Sequence, residues 1–586
     1  MRWAMGDGTG SEATEQGARL AAAAGLPAAV GRILWARGYR DDAAVQRFLE
    51  PRLDQLPDPF GLKGIEPAVE RIRRALAAGE KISVYGDYDV DGVTSTVLLV
   101  SVLRKLGGVV DFYVPQRLTE GYGLNTQAMG KLAARGTRLV VSADCGVTAV
   151  AEVEAAARLG MDVVVIDHHT ASQDLPKAVA ILNPHQPGCT FPGRELAAVG
   201  VAFHLLLALR KRLREAGWFA SGTCAEPNLR EQLDLVALGT IADVVPLTGP
   251  NRILVHFGLR ELAKGARPGV LALKSVAQLA GEITAGDVGF KLGPRINAAG
   301  RLDDASVGVR LLLSEDLREA RGLAEQLDRA NAERQELQAR IVTEAIEMAA
   351  RLGTPEQRRS LVVSSTGWHA GVVGIVAARL VEKFHRPALV LAEEDGVAKG
   401  SGRSVEGFHL YDALARCSRH LTRFGGHKHA AGVTLDTSNI AAFSEALEGE
   451  ARSKLDAAQL SPRLRIDAEL SPAEIGLRLA GQLRRLAPFG AGNPEPVFIC
   501  SELTAHEVRL LPDKKGTGPG HLKLRLGEAR GPGVADVDGQ NFDAIGFSLG
   551  GTALPVGARL DAAFQLSIDS WNGAERLQLK LKDVKT

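Results

Sequence analysis

The sequence predicts an α/β protein made of a mostly parallel sheet domain, a long connector helix, a second α/β domain and a C-terminal all-β unit. Three observations carry that prediction. From Lys81 onward, β-branched runs alternate with longer helical stretches, which is the punctuation of βαβ units. One apolar stripe at helical spacing then runs from 317 to 348, too long for an ordinary domain helix. Past Ser461, short alternating runs separated by Gly, Pro and Asp turns take over, as in an antiparallel barrel or sandwich.

In chain order, residues 1–75 are helical with Pro-rich breaks (LEPRLDQLPDPFGL) and read as a cap on the parallel sheet. Residues 76–305 hold the runs KISVYG, VVDFYVP, RLVVSADCG and MDVVVIDHH with helices between them. The connector spans 306–353: Ser314 can N-cap it, apolar residues fall at 317, 320, 323, 327, 337, 341, 345 and 348, and Gly353 and Pro355 stop it. A helix packed within one domain is the plain alternative. A second strand-then-helix unit covers 354–458, opening with RSLVVSSTGWHAGVVGIVAARLVEK. The third covers 459–586. Its Arg509, Lys514, Lys515, Lys523 and Arg525 read, taken alone, as a solvated loop. On a nucleic-acid partner they would track phosphates, with Phe498, Phe542, Phe547, Phe564 and Trp571 as candidates for base stacking.

Composition bounds the function. The 586 residues are 45% apolar and 24% charged, ordinary for roughly three to five globular domains and unlike collagen, linker or disordered sequence. No apolar run approaches the ~18 residues of a spanning helix. The start MRWAMGDGTGSEATEQ lacks a basic region followed by an apolar segment, so a soluble, untargeted, cytoplasmic protein is expected. Five scattered cysteines (145, 189, 224, 417, 500) without a CxxC pair fit a reducing compartment and give no zinc signature. Lys+Arg at 70 against Asp+Glu at 69 gives +1, so a nucleic acid would have to be held by local basic patches.

Four segments carry the chemistry: GDYDVDG (Asp87, Asp89, Asp91), SADCG (Asp144), IDHH (Asp167, His168, His169) and GTIADVVPL (Asp243). Each reads as following a strand-type apolar run, and in open parallel sheets the carboxyl ends of strands converge on one crevice. So many carboxylates beside imidazole there would repel and titrate unless cations neutralise them. Carboxylates with imidazole suit Mn²⁺ or Mg²⁺, and a pair of ions sharing one carboxylate would clamp both oxygens in phosphoester hydrolysis. An EF-hand loop fails because its twelfth position is Leu98, and Cys145 has no evident base to make it a nucleophile. A surface Asp turn and a structural His pair are the ordinary readings of each segment alone.

GDYDVDG with IDHH resembles the DHH phosphoesterase superfamily, and GWHAGVVGIVAARLVEK, SGRS and FGGHKHAAG resemble its associated DHHA1 domain. With YVPQRLTEGYGLN, GPRINAAGR and the PFGAGNPEPVF entry to an OB-like barrel, the set is similar to the superfamily's bacterial single-strand-specific 5′→3′ exonucleases of DNA repair and recombination, over most of the chain. The resemblance implies Asp87, Asp89, Asp91, Asp144, His168 and Asp243 as ligands of two Mn²⁺ or Mg²⁺ ions, Asp144 bridging and Asp167 behind them. It implies His169 facing the scissile phosphate, with Arg295, Asn297 and Arg301 stabilising charge on the phosphoryl oxygens. Arg117, Ser401 and Arg403 would form a 5′-phosphate pocket, and His369 and His427 would line the substrate cleft. Tyr85 departs from the pattern, since many relatives carry His there; a phenol of pKa near ~10 is a poor ligand at neutral pH. The implied partners are single-stranded DNA, a helicase and a single-strand-binding protein, with no membrane. A superfamily enzyme for short oligonucleotides or cyclic dinucleotides is one alternative, which the barrel and cap argue against. A non-catalytic single-strand-binding scaffold is another, which the intact acidic set argues against.

Overall fold

The computed structural model describes residues 1–586 except 117–119, 122, 221, 223, 303, 458, 514–519, 529–539 and 572–573, and leaves aside the side chains of 302, 570, 571 and 574. Arg117, Lys514, Lys515 and the Trp571 side chain therefore lie outside the described residues.

The β-branched runs of the first domain form five parallel strands in the order Val109–Tyr113, Lys81–Gly86, Leu139–Ala143, Asp162–Ile166 and Ala180–Leu182. Leu139–Ala143 is buried along its whole length, as expected of a parallel strand covered on both faces. The second strand in the chain lies to one side of the first and the later strands lie to the other. Strand order thus reverses between Lys81–Gly86 and Leu139–Ala143, and the chain leaving those two strands parts to open a crevice. Asp87 and Asp144 are the residues that follow them.

Asp243 corrects one expectation. It follows the helix Leu233–Ala242, not a strand. That segment is buried from Leu233 to Ile241, packed against the helices Val90–Lys105, Ala198–Glu215 and Gly249–Lys264. A helix buried on all sides has no polar face, so its short apolar run reads like an interior strand.

The connector is the helix Leu317–Arg351, N-capped by Asp316, whose side chain accepts from the Arg318 N–H. Ser314 instead donates its hydroxyl to Glu319 Oε2 at 2.5 Å and ends the separate helix Ser306–Leu313. Ala320, Ala324 and Leu327 are buried in the first half, and Ile341, Ala345 and Ala349 join the core of the second domain. Between them lies a buried polar pair, with Arg334 Nη2 donating to Asn331 Oδ1 at 2.9 Å.

The second domain is a mixed sheet in the order Arg423–Gly426, Ala430–Asp436, Val397–Arg403, Ala388–Glu394 and Leu361–Thr366, with only the last pair parallel. Side chains alternate across it. Val390 packs with Val376 of the helix Val373–Phe384, while Leu389 and Leu391 pack with Leu414 and Phe443 on the other face. Residues 55–461 form one compact unit.

Residues 1–54 and 462–586 form the other. Strands Phe498–Leu511, His521–Glu528, Asn541–Gly546, Ala574–Lys585 and Arg559–Trp571 close into a five-stranded barrel, the third and last in chain order pairing parallel. The N-terminal stretch expected to cap the parallel sheet divides near residue 54. Leu20, Ile33, Leu34 and Phe48, from the helices Ser11–Ala24, Ala28–Ala36 and Asp42–Leu49, share one core with Phe498, Phe542 and Phe564. The helix Ile65–Ala78 stays with the parallel sheet, where Arg71 pairs with Glu80 and Asp162. Burial removes Phe498, Phe542 and Phe564 as stacking platforms, whereas Phe547 is 58% exposed, and Arg509, Lys523 and Arg525 are exposed as well.

Candidate active site

The first acidic segment is a strand-to-helix turn. Asp89 N-caps the helix Val90–Lys105 and accepts from the Gly92 N–H at 3.0 Å. Asp91, in the first turn, points inward, and its two oxygens accept from the Ala198 and Val199 N–H groups at 2.7 and 3.0 Å. Those groups begin the helix Ala198–Glu215, where unpaired N–H groups and the helix dipole favour an anion. The turn has no room for larger residues: a Cβ at Gly92 would stand 2.7 Å from the Asp87 backbone, and one at Gly239 would stand 2.8 Å from Asp91 Oδ1.

Asp144 has a left-handed backbone (φ 66°) and donates its N–H to Ile166 O at 3.0 Å. Asp is among the few residues that tolerate this conformation. Val244, directly after Asp243, is also left-handed (φ 62°), a strained state for a β-branched residue. Asp167 accepts from the Val147, His168 and His169 N–H groups at 2.9, 2.7 and 3.0 Å and holds His169 Nδ1 at 2.7 Å. His168 Nε2 is buried without a hydrogen bond, 3.3 Å from Asp144 Oδ1 and 3.5 Å from Asp243 Oδ2. Three donor groups result: Asp87, Asp89 and Asp144; Asp91, His168 and Asp243; Asp144, His168 and His169. Within each, the ligand atoms lie within 4.8 Å of one another, and Asp144 and His168 each serve two groups.

Electrostatics show what this cluster lacks. Burial, then the neighbouring Asp89, Asp91, Asp87 and Asp243, pushes the Asp144 carboxyl well above the ordinary range. Burial and then Asp89 bring Asp91 to about 7, against the pull of its two backbone donors. Burial, Asp91 and Asp89 bring Asp243 to about 8. Burial, then His169, lowers His168 to about 4, so its imidazole is neutral and free to donate a lone pair. A charge deficit around oxygen donors and a neutral imidazole, its Nε2 without a hydrogen bond, fits a hard divalent cation of the Mn²⁺ or Mg²⁺ kind. Cys145 is buried with its thiol held protonated by burial, Asp87 and Asp167, and offers neither ligand nor nucleophile.

His169 behaves differently. Burial works against its charge, but the hydrogen bond to Asp167 and the surrounding carboxylates outweigh it and raise the imidazole to about 9. Asp167 shifts the opposite way: burial opposes its charge, yet the His169 ring and the backbone donors hold it below the usual range. His427 of the second domain stacks on His169, ring centres 6.3 Å apart at 14°.

The other expected site residues divide. Ser401 and Arg403 sit two apart on one strand, with Arg403 Nη1 donating to Ser401 Oγ at 2.9 Å. Both face the first turn of the helix Val373–Phe384, where a Cβ on Gly374 would stand 3.1 Å from Ser401 Oγ and 3.3 Å from Arg403 Nη2. Asn297 Oδ1 accepts from the Val90 N–H at 3.1 Å, so its carbonyl holds the acidic turn. Gly300 lets the same helix, Gly293–Leu302, approach that turn, since a Cβ there would stand 2.7 Å from Tyr88 O. Arg301 Nη1 donates to Gly371 O at 3.0 Å, and His369 Nδ1 accepts from the Gly371 N–H at 3.1 Å. Arg295 is not gathered with the carboxylates: it binds Asp328 of the connector at 2.8 Å and Lys291 O at 2.7 Å. The Ala198 and Val199 N–H groups and the close approach at Gly239 were beyond sequence reasoning, because backbone donors and helix contacts leave no residue-type signal.

Family profiles match in the same order as the domains. The DHH family, N-terminal domain, covers residues 81–240; the DHHA1 domain covers 358–453; the RecJ OB domain covers 466–583. The single-stranded-DNA-specific exonuclease RecJ of Dickeya dadantii is 42% identical over 574 residues, covering 95% of this chain and 96% of that protein. The protein of that name from Escherichia coli is 41% identical with the same coverage. The crystal structure of RecJ in complex with Mn²⁺ from Thermus thermophilus matches with a TM-score of 0.82 at 32% identity, over 100% of this chain and 79% of that one. The Mg²⁺ complex from the same organism matches with a TM-score of 0.77 at 30% identity, over 100% and 78%. Similar in sequence and fold along nearly its whole length to these proteins, the chain belongs to the RecJ family.

Proposed function

We propose that the protein is a divalent-metal-dependent exonuclease that removes nucleotides from the 5′ end of single-stranded DNA. The observation that carries this is the set of overlapping donor groups sharing Asp144 and His168 at the strand-order reversal. The names of the relatives support the substrate class. Two ions, Mn²⁺ or Mg²⁺, held by Asp87, Asp89 and Asp144 and by Asp91, His168 and Asp243, would supply an activated water and positive charge at the phosphorus.

The chain's own residues do the rest. Asp167 fixes the His169 ring, and that hydrogen bond favours the protonated imidazole, which would donate to a phosphoryl or leaving oxygen. Arg403, ordered by Ser401, and Arg117 would take a terminal phosphate through charge-assisted hydrogen bonds, which makes a 5′ end the preferred start. Arg509, Lys523 and Arg525 on the barrel would follow the phosphate backbone, with affinity falling steeply with salt. A helicase and a single-strand-binding protein that expose and hold the strand, and a cytoplasmic role in repair and recombination, go with this reading. Among the described residues no helix is long and apolar enough to cross a membrane.

Digestion of end-labelled single strands and duplexes, with and without Mn²⁺, tests the proposal. Mononucleotides should leave a 5′-labelled single strand first, and only with metal. Earlier release of a 3′ label overturns the polarity, equal digestion of blunt duplex overturns the strand preference, and activity in excess chelator overturns the metal assignment.

A further inference from the structure

We infer that Asn183 is a positioning residue for the reaction, because its side-chain amide holds the backbone of His169; the inference rests on the role proposed above for His169. Asn183 is fully buried and directly follows the strand Ala180–Leu182. Leu182 pairs with Ile166, and the Asp167 N–H donates to Leu182 O at 3.0 Å. The chain leaving that strand therefore runs beside the turn that carries Asp167, His168 and His169. Asn-Pro is a turn signal, and here Asn183 Oδ1 accepts from the His185 N–H at 2.7 Å across Pro184. Asp or Ser could close the same turn, but only an amide accepts on one arm and donates on the other. The second arm is what the turn leaves unexplained. It goes to the catalytic segment, Nδ2 donating to His169 O at 2.9 Å.

His169 is thereby held at its ring and on both sides of its Cα. Its N–H donates to Asp167 Oδ1 at 3.0 Å, its Nδ1 lies 2.7 Å from the same oxygen, and its C=O accepts from Asn183. The first two contacts converge on one atom, about which the residue could pivot. The third, on the far side of the Cα, removes that freedom. A group that donates to a reacting oxygen has to be held within about 0.5 Å of its productive place, so the carbonyl tether bears on the chemistry. Asn183 belongs to none of the three donor groups, and both its side-chain hydrogen bonds go to backbone. Its effect on catalysis therefore passes through His169 and not through the ligands.

The test is a double-mutant cycle in the full-length protein: Asn183→Ala, His169→Ala and the pair. Each is read by the single-turnover rate of the first cleavage of a short 5′-phosphorylated single strand, at saturating enzyme and Mn²⁺. Loss of one net hydrogen bond predicts a rate about fivefold lower for Asn183→Ala, with the half-saturating enzyme concentration and Mn²⁺ uptake unchanged. A residue that acts through His169 has nothing left to position once that ring is gone, so Asn183→Ala should cost nothing further in the His169→Ala background. Should Asn183→Ala not fold, Asn183→Ser keeps a hydroxyl for the turn, withdraws the amide from His169 O, and goes through the same cycle. An unchanged rate, an equal loss in the His169→Ala background, or a loss traced to weaker Mn²⁺ uptake overturns the inference. If His169→Ala slows cleavage while the Asn183 variants do not, only the Asn183 role fails. If His169→Ala itself leaves the rate intact, the proposed role of His169 fails and that of Asn183 with it.

Discussion

Loading the acidic centre with metal should drive off protons, and their number can be measured. In the metal-free protein Asp91 titrates at about 7 and Asp243 at about 8, both raised first by burial, and Asp144 lies well above the ordinary range for the same reason. At pH 7.5 Asp243 holds most of a proton and Asp91 a fraction of one, so binding of Mn²⁺ should release about one proton from this pair, and the upward shift of Asp144 acts in the same direction. His169, raised to about 9, adds to the same trend in stability. Each of these folded-state values exceeds its unfolded value, so the folded metal-free protein binds more protons and its stability falls as pH rises from about 6.5 to 9. His168, lowered to about 4, opposes this trend only near pH 6.5, where the unfolded imidazole is still partly protonated, and adds little above about pH 7.5. Near pH 7.5, Asp91, Asp243 and His169 together hold roughly two protons that the unfolded chain lacks, a slope of about 2–3 kcal/mol per pH unit at most. Titration calorimetry of chelator-stripped protein with Mn²⁺, in two buffers of different ionisation enthalpy, counts the protons directly. Melting curves should show the pH slope in chelator and a flatter one in Mn²⁺. Proton release near zero at pH 7.5, or a metal-free melting temperature that rises between pH 6.5 and 9, would refute the reasoning.

Three further outcomes are expected. Asp144→Ala removes the carboxylate common to two donor groups, so hydrolysis should vanish while single-strand binding in EDTA persists; substantial cleavage in Mn²⁺ would contradict a shared ligand. Arg403→Ala should reduce the preference for 5′-phosphorylated over 5′-hydroxyl strands by about 10- to 100-fold, the worth of a charge-assisted hydrogen bond, read from kcat/KM on the two ends. Removing residues 1–54 together with 462–586 should weaken binding to long single strands and flatten its salt dependence far more than it slows turnover of a short oligonucleotide at saturation. Unchanged affinity for long strands would make the barrel a packing module. Both segments must go, because deleting the barrel alone strips the core from beneath Leu20, Ile33 and Phe48.

Much of the site was legible because its signals are local. Asp87 and Asp144 follow β-branched runs that became neighbouring parallel strands, and the convergence of GDYDVDG, SADCG and IDHH needed only the rule that parallel strands share a carboxyl end. Asp243 reached the same cluster from a helix, which no apolar run of that length could announce. Ser314 is a sound N-cap by residue type, yet Asp316 two positions later also caps, and tertiary packing placed the start of the helix there. The first 54 residues misled for a deeper reason: an amphipathic helix shows that one face is buried but not against what. Arg295 shows the limit for charged residues, since nothing in GPRINAAGR distinguishes an arginine bound for a phosphate from one bound for Asp328. Asn297 was legible as a site residue, but its contact is with the Val90 N–H that shapes the acidic turn.

The donor set can be examined by anomalous diffraction at the manganese edge from crystals soaked in Mn²⁺. Two peaks are expected, one flanked by Asp87, Asp89 and Asp144 and the other by Asp91, His168 and Asp243, with Asp144 contributing to both and neither peak near Tyr85. A single peak, or manganese bound elsewhere with this cluster vacant, would contradict a two-ion centre.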